Sequence, residues 1–261
     1  MQRFDVDYVW RTDRGRVRTR NEDAVAVEPQ LGLIVVADGI GGAQAGHVAS
    51  QLATEAIVDY FRRRRSTSSI GKRLLVQVDE AVREANRRIW ELGQAKRECR
   101  GMGTTVVMGL VSEDGLIYAY VGDSRLYRWR DNQIRLITRD HSLIQDAVEQ
   151  GFFRSLDEAR RHGVGANLLT RALGTYPDTL VASGCEDLQD GDIYLFCTDG
   201  LSNMVPDDWL RQLFDVVGER LEPAADALVQ LACDRGGRDN ITLALLRIRA
   251  SDGRIPPSST S

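Results

Sequence analysis

A chain of 261 residues with 43% hydrophobic and 28% charged content can bury a full core, and it reads as one large domain over residues 1–249 with a flexible tail over 250–261. A formal net charge of −4 argues against a nucleic-acid face, which shows as a clustered basic excess. No apolar stretch reaches the ~18 residues of a membrane span and no hydrophobic signal segment opens the chain, so a soluble, cytoplasmic protein without a membrane segment is expected.

In chain order, "FDVDYVWRTD" alternates at period two and predicts a strand, and "LGLIVVAD" predicts a buried one. A helix follows in "HVASQLATEAIVDYFRRR", with Val48, Leu52, Ala56 and Tyr60 on one stripe. Its end, Arg62, Arg63, Arg64 and Arg65, reads as a solvated terminus complementing the helix dipole. A second helix, "GKRLLVQVDEAVREANRRIWELGQ", repeats Leu75, Val78, Val82, Ala85 and Ile89. From Gly103 a meander of strands turns at Glu113-Asp114-Gly115 and at Asp131-Asn132. Residues 143–166 are more polar and predict a small helical insertion. "GDIYLFCTDGLSNMV" is a strand running into Asp199-Gly200, "DDWLRQLFDVV" and "PAADALVQLACDR" are helices, and "NITLALLRIRA" is a last strand opening after Asp239-Asn240. This order predicts an α+β layered sandwich with largely antiparallel sheets. Cys99, Cys185, Cys197 and Cys233 lie far apart without a C-x-x-C pair, as reduced thiols do.

Asp38, Asp123, Asp199 and Asp239 share one context, the end or start of an apolar strand, and the first three touch a glycine in "VADG", "VGDS" and "CTDG". One Asp-Gly is an ordinary turn. Four such carboxylates together with Glu22-Asp23 point to convergence, at which like charges ~4 Å apart repel by about 4 kcal/mol per pair at an effective dielectric near 20. A divalent cation reverses that sign, and oxygen-only donors favour Mg²⁺ or Mn²⁺ over zinc. Two ions fit best: Asp38 bridges, Asp199 and Asp239 complete one, and the Gly39 carbonyl with waters completes the other, a centre suited to in-line displacement at phosphorus. An arginine to grip the phosphoryl group lies upstream in "RVRTR", where Arg16, Arg18 and Arg20 compete on spacing.

Taken together, "RVRTRNED", "VVADGIGG", "GTT", "YVGDSRLY", "DHS", "LTRALG", "CTDGL" and "RDNIT" resemble, in order and over residues 5–248, the metal-dependent protein Ser/Thr phosphatases of the PP2C (PPM) family, bacterial type. The resemblance implies a four-layer α-β-β-α sandwich with a helical flap near 143–166. It implies Asp38 as bridging ligand, Gly39 as carbonyl ligand, Asp199 and Asp239 on the first metal and Glu22 on the second. Asp23 would orient the nucleophilic water, Arg18 would bind the substrate phosphate, and Asp123 with Asp199 would hold a third, weaker ion. Implied too are attack by a hydroxide bridging two Mn²⁺ or Mg²⁺ ions, phosphorylated protein substrates, a cognate Ser/Thr kinase and a monomer. Relatives often carry a histidine after "DGIGG", where this chain has Ala43. His47 and His141 read as surface and loop-organising residues, with protonation of the leaving group left to a metal-bound water, and His162 is unassigned.

Two rivals share the chemistry or the fold: a phosphohydrolase of small phosphate esters and a non-catalytic phosphopeptide-binding module. A dinucleotide fingerprint in "VVADGIGGAQAG" fails, because the last glycine position holds Gln44.

Overall fold

The structure, a computed structural model, describes residues 4–41, 45–64, 72–165 and 168–251. Arg65, Ala43, Gln44, the end of the 143–166 segment at Ala166 and the tail beyond Ser251 lie outside the described residues. The strands and helices in order are β1 (Phe4–Asp13), β2 (Asp23–Glu28), β3 (Leu33–Ile40), α1 (Ala45–Arg64), α2 (Lys72–Ala95), β4 (Gly103–Thr104), β5 (Val106–Ser112), β6 (Gly115–Val121), β7 (Arg125–Arg130) and β8 (Gln133–Leu136). Then come α3 (Leu143–Glu149), α4 (Leu156–Arg161), β9 (Ala182–Glu186), β10 (Ile193–Cys197), α5 (Asp199–Ser202), α6 (Asp207–Val217), α7 (Leu221–Asp234) and β11 (Ile241–Ala250).

Two sheets result. One runs β1-β11-β10-β7-β8, the other β2-β3-β5-β6-β9 with β4 paired to β3, and every pairing is antiparallel. The sequence shows why they stack in four layers. In β3, Leu33, Val35 and Ala37 pack with the inner faces of α1 and α2, while Ile34 and Val36 point the other way into the layer between the sheets. In β11, Leu243 and Leu245 meet α6 and α7, while Ala244, Leu246 and Ile248 join Tyr194 and Phe196 between the sheets. A strand covered on both faces has no polar alternation, which is why these runs are apolar throughout. The α-β-β-α sandwich expected from the family resemblance is therefore the observed architecture.

Local expectations fare unevenly. The β7–β8 turn falls on Asp131 and Asn132, both with positive φ (52° and 58°), as a tight type I′-like hairpin requires. On α2, Val78, Val82, Ala85 and Ile89 are fully buried as predicted, whereas the predicted Leu75 is only partly buried. On α1 the buried face is Ala49, Ala53, Ala56, Ile57 and Tyr60, whereas the predicted Val48 and Leu52 are only partly buried. The stripe is rotated by one position because alanines, not the larger residues, let α1 lie close against β3 and α2. Arg62 and Arg63 pair with Glu28 and Glu84, and Arg64 lies over the Tyr60 ring at 3.7 Å, so the arginine run does dress a helix end. All four cysteines are free; Cys99, Cys197 and Cys233 are buried and Cys185 is exposed. Strand β9, "ASGCE", was not expected from sequence: its Ser and Gly are poor strand formers, and pairing with β6 imposes the conformation.

Candidate active site

Antiparallel pairing brings the acidic ends of distant strands to one rim. Asp23 at the start of β2 lies opposite Asp38 near the end of β3, and the end of β10 lies opposite the start of β11, so Asp199 and Asp239 flank one junction. Arg18, Glu22, Asp38, Gly39, Asp123, Asp199 and Asp239 all line one cavity of about 650 Å³. The predicted Asp23 does not. It is buried behind the rim, where Oδ2 accepts from Thr198 Oγ1 at 2.9 Å, and it lines a neighbouring cavity between β2 and α1.

The backbone around Asp38 is clamped by the "GTT" segment. Thr105 Oγ1 accepts from the Asp38 amide (3.1 Å), while the Thr105 amide and Thr104 Oγ1 both donate to the Asp38 carbonyl (2.8 Å each). Thr105 Oγ1 also shares a 2.7 Å hydrogen bond with Ser124 Oγ, tying Asp38 to the residue after Asp123. Asn240 organises the opposite wall. Its Oδ1 accepts from the Glu22 amide at 2.8 Å, and its Nδ2 donates to the carbonyls of Arg14 and Arg20 at 2.9 and 2.8 Å. That fixes the loop from which Arg18 reaches the cavity, and Arg18 Nη2 donates to Asp239 Oδ2 at 2.7 Å. Arg16 instead donates its amide to the Gly237 carbonyl, which leaves Arg18 as the arginine of "RVRTR" facing the carboxylates.

Charge makes the site costly as it stands. Burial first, then the charges of Asp23, Asp199, Asp123 and Asp239, push the Asp38 carboxyl well above the usual carboxylate range. Burial likewise raises Asp23 and Asp123 to about 7 each, and burial followed by Asp239 raises Asp199. Buried Asp23 Oδ1 and Asp199 Oδ1 have no hydrogen-bond partner. These are the marks of a cation-binding rim, since an unpartnered buried carboxylate oxygen is expensive unless something positive meets it. Backbone shape agrees. A Cβ on Gly39 would fall 2.3 Å from the Gly46 carbonyl oxygen and one on Gly46 2.7 Å from Glu22 Oε2, so both positions need glycine to seat Glu22 beside Gly39.

Among the described residues no group of three or more His, Cys, Asp or Glu side chains is, as placed, close enough to hold a metal ion. The donor set, all oxygen, fits Mg²⁺ or Mn²⁺.

No histidine among the described residues lines the cavity. His47 is exposed on α1 and does not line the cavity. His141 is buried, stacks on Tyr120 with ring centroids 5.0 Å apart, and its Nδ1 accepts from the Gly122 amide at 3.1 Å. Burial and then the nearby Arg171 and Arg139 hold its pKa down to about 4, so the ring is neutral and braces the loop before Asp123. His162 closes α4 against Phe153.

In "LTRALG" no single residue stands out from sequence alone. The segment forms the floor beside the acids, bridging to Thr104 through Leu173 and to Ser142 through Leu169, and it brings a second guanidinium, Arg171, to the cavity. Its continuation is pinned by the buried Asn86 of α2, whose Nδ2 donates to the Tyr176 and Pro177 carbonyls and whose Oδ1 accepts from the Gly174 amide. No one-dimensional signal announces such a brace.

A carboxylate rim with arginines beside it, built at one end of an α-β-β-α sandwich, defines a metal-dependent phosphoester hydrolase. The family model for protein phosphatase 2C matches residues 12–233. A serine/threonine phosphatase, stp, of Listeria welshimeri is 34% identical over 91% of this chain and 94% of its own. The crystal structure of the Mycobacterium tuberculosis phosphatase PstP superposes with a TM-score of 0.83 at 34% identity, covering 94% of this chain and 99% of that one. A second PstP structure, of the catalytic domain with two manganese ions, superposes at 0.79 with 33% identity over 95% and 100%. This chain belongs to the protein phosphatase 2C family, whose members are metal-dependent Ser/Thr phosphatases.

Proposed function

We propose that this protein hydrolyses phosphoserine and phosphothreonine in proteins, with the single cavity shared by Arg18, Glu22, Asp38, Gly39, Asp123, Asp199 and Asp239 as its catalytic centre. That cavity carries the reading: residues up to 221 positions apart share one rim, with a negative field that Arg18 offsets only in part. Asp38, Asp199 and Asp239 would hold one divalent ion, and Asp38, the Gly39 carbonyl and Glu22 a second. Asp123 with Asp199 would hold a third, weaker one. Bound there, divalent cations supply an activated water and neutralise charge developing on the phosphoryl group.

The chain's own residues do the rest. Arg18 is held by the Asn240-braced loop and presents a charged fork to the phosphoryl oxygens. Asp239, which accepts from Arg18, would be free to hold a divalent ion once Arg18 turned to substrate. Asp23, fixed by Thr198, acts from behind the rim as an acceptor orienting the attacking water. No histidine is placed to protonate the leaving alkoxide, so that proton comes from solvent within the centre.

The finer parts of the reading rest on the resemblance to the family. We infer a cognate Ser/Thr kinase, a monomer, a cytoplasmic site of action, and activity carried in residues 1–249 with 143–166 as a flap beside the centre. Among the described residues no helix is long and apolar enough to cross a membrane. The test is a Mn²⁺-dependent assay of phosphothreonine peptides against nucleotides and small phosphate esters, with a chelator control. Peptide hydrolysis that the chelator abolishes supports the proposal. Preference for nucleotides would make the protein a small-ester hydrolase, and metal-independent binding without turnover would make it a phosphopeptide-binding module.

A further inference from the structure

Beside the catalytic cavity lies a second one of about 550 Å³, between α4, the loop after α5 and the turn before β11, and the two cavities have Asp239 in common. Its charged lining is Arg125, Arg160, Arg238, Asp207 and Asp239. Three of these are already committed. Arg125 is held bidentate by Asp140 (2.9 and 2.7 Å) and also donates to the Tyr127 hydroxyl, Asp207 accepts from that hydroxyl, and Asp239 accepts from Arg18. Two cations are left over. Arg238 is exposed and has no hydrogen bond or ion pair among the described residues, and Arg160 meets only Asp157, one turn away on α4, whose side chain is 82% exposed. Such a solvated pair holds the guanidinium weakly and leaves it free to exchange partners.

We propose that this cavity is a subsite for a negatively charged residue, a carboxylate or a second phosphate, flanking the phosphorylated Ser or Thr of the same substrate polypeptide. The inference rests on the phosphoprotein reading above and adds to it a determinant of substrate choice. An extended chain advances ~3.3 Å per residue, so a residue two to four positions from the target spans roughly 7–14 Å, the scale of a step into the adjoining cavity. Two guanidiniums converging on one carboxylate or phosphate give charge-assisted, geometrically selective hydrogen bonds. Ser202 and Asn203 line the same cavity and offer neutral donors. The other neighbouring cavity, against α1, carries Asp23, Glu28, Glu55 and Asp59 with Arg62 alone, and its field repels the same group.

The experiment compares kcat/KM for two phosphothreonine peptides, one with glutamates two to four residues on either side of the target and one with glutamines there, in the full chain and in the Arg160→Gln/Arg238→Gln variant. The glutamate peptide is expected to be favoured about tenfold by the unmodified chain and less than twofold by the variant. Both arginines are exposed, so folding is not at issue, and an Arg238→Glu variant should prefer lysine-flanked over glutamate-flanked peptide. Equal rates for the two peptides in the unmodified chain, or an undiminished preference in the variants, overturn the subsite while leaving the phosphatase reading intact. Hydrolysis of neither peptide overturns both.

Discussion

Asp38 is the residue on which the negative field converges, with Asp23, Asp199, Asp123 and Asp239 all raising its pKa after burial has done so. In the absence of an ion its charge opposes folding, because each nearby carboxylate repels it in a poorly solvated rim. Asp38→Asn keeps the shape and removes the charge. The variant is therefore expected to lose phosphatase turnover and, in chelator, to melt a few degrees above the parent, about 2–4 °C for each kcal/mol of relieved repulsion. Differential scanning calorimetry beside an activity assay checks both, and a lower Tm with retained activity would sink the assignment. The acids themselves were legible, since an aspartate repeatedly set at a strand end beside glycine is a pattern with a chemical motive. Gly46, Thr105, Asn86 and Asn240 are not, although Thr105 and Asn240 fall within the family-like segments "GTT" and "RDNIT". Their work is to hold backbone, through Asn240 on the loop carrying Arg18 and Thr105 on the amide of Asp38, and a hydrogen bond to a distant main chain leaves no periodic trace.

Among the elements, strands and helices with strong periodicity emerged from sequence while irregular connections did not. β1, β3, β10, β11 and α2 sit where alternation or a 3.6-residue repeat put them. The exceptions have a common cause: the α1 face, β9 and the 168–173 floor are set by what packs against them rather than by their own propensities. The loop joining β8 to α3 shows how such a connection is stabilised, with His141 wedged as a neutral ring between Tyr120 and the Gly122 amide and facing Arg171, Arg139, Asp146 and Asp140. Its folded pKa of about 4 lies below the value of about 6.5 expected when unfolded. Between those values the unfolded chain binds more protons, so His141 contributes stability that is complete above pH ~6.5 and is lost as pH falls toward ~4. The slope from this one group is at most ~1.4 kcal/mol per pH unit. Asp23 and Asp123, raised to about 7, act in the opposite sense over the same range. The informative measurement is therefore the difference between the parent and His141→Gln in urea unfolding at pH 5 and pH 7. The penalty of the substitution should shrink at the lower pH, and a pH-independent difference would show that the ring titrates normally.

At the scale of the whole molecule the carboxylates belong to different sheets. Asp38 ends a strand of the β2-β3-β5-β6-β9 sheet, whereas Asp199 and Asp239 flank β10 and β11 of the other. An ion held between them would link the two sheets at that end of the sandwich and would offset the mutual repulsion of the carboxylates. Binding to the folded chain alone stabilises it by RT ln(1 + [L]/Kd), about 2.7 kcal/mol at a hundredfold excess over Kd. For a chain of this size that corresponds to roughly 5–10 °C in Tm. Mn²⁺ titrated into chelator-treated protein should raise Tm on this scale and should slow amide exchange at the ends of β3, β10 and β11 together, because one ligand clamps all three. Asp38→Asn and Asp239→Asn should lose most of the shift. A shift of equal size in both variants would place the bound ion elsewhere on the surface, and protection confined to one sheet would mean that the carboxylates of the two sheets do not share a centre.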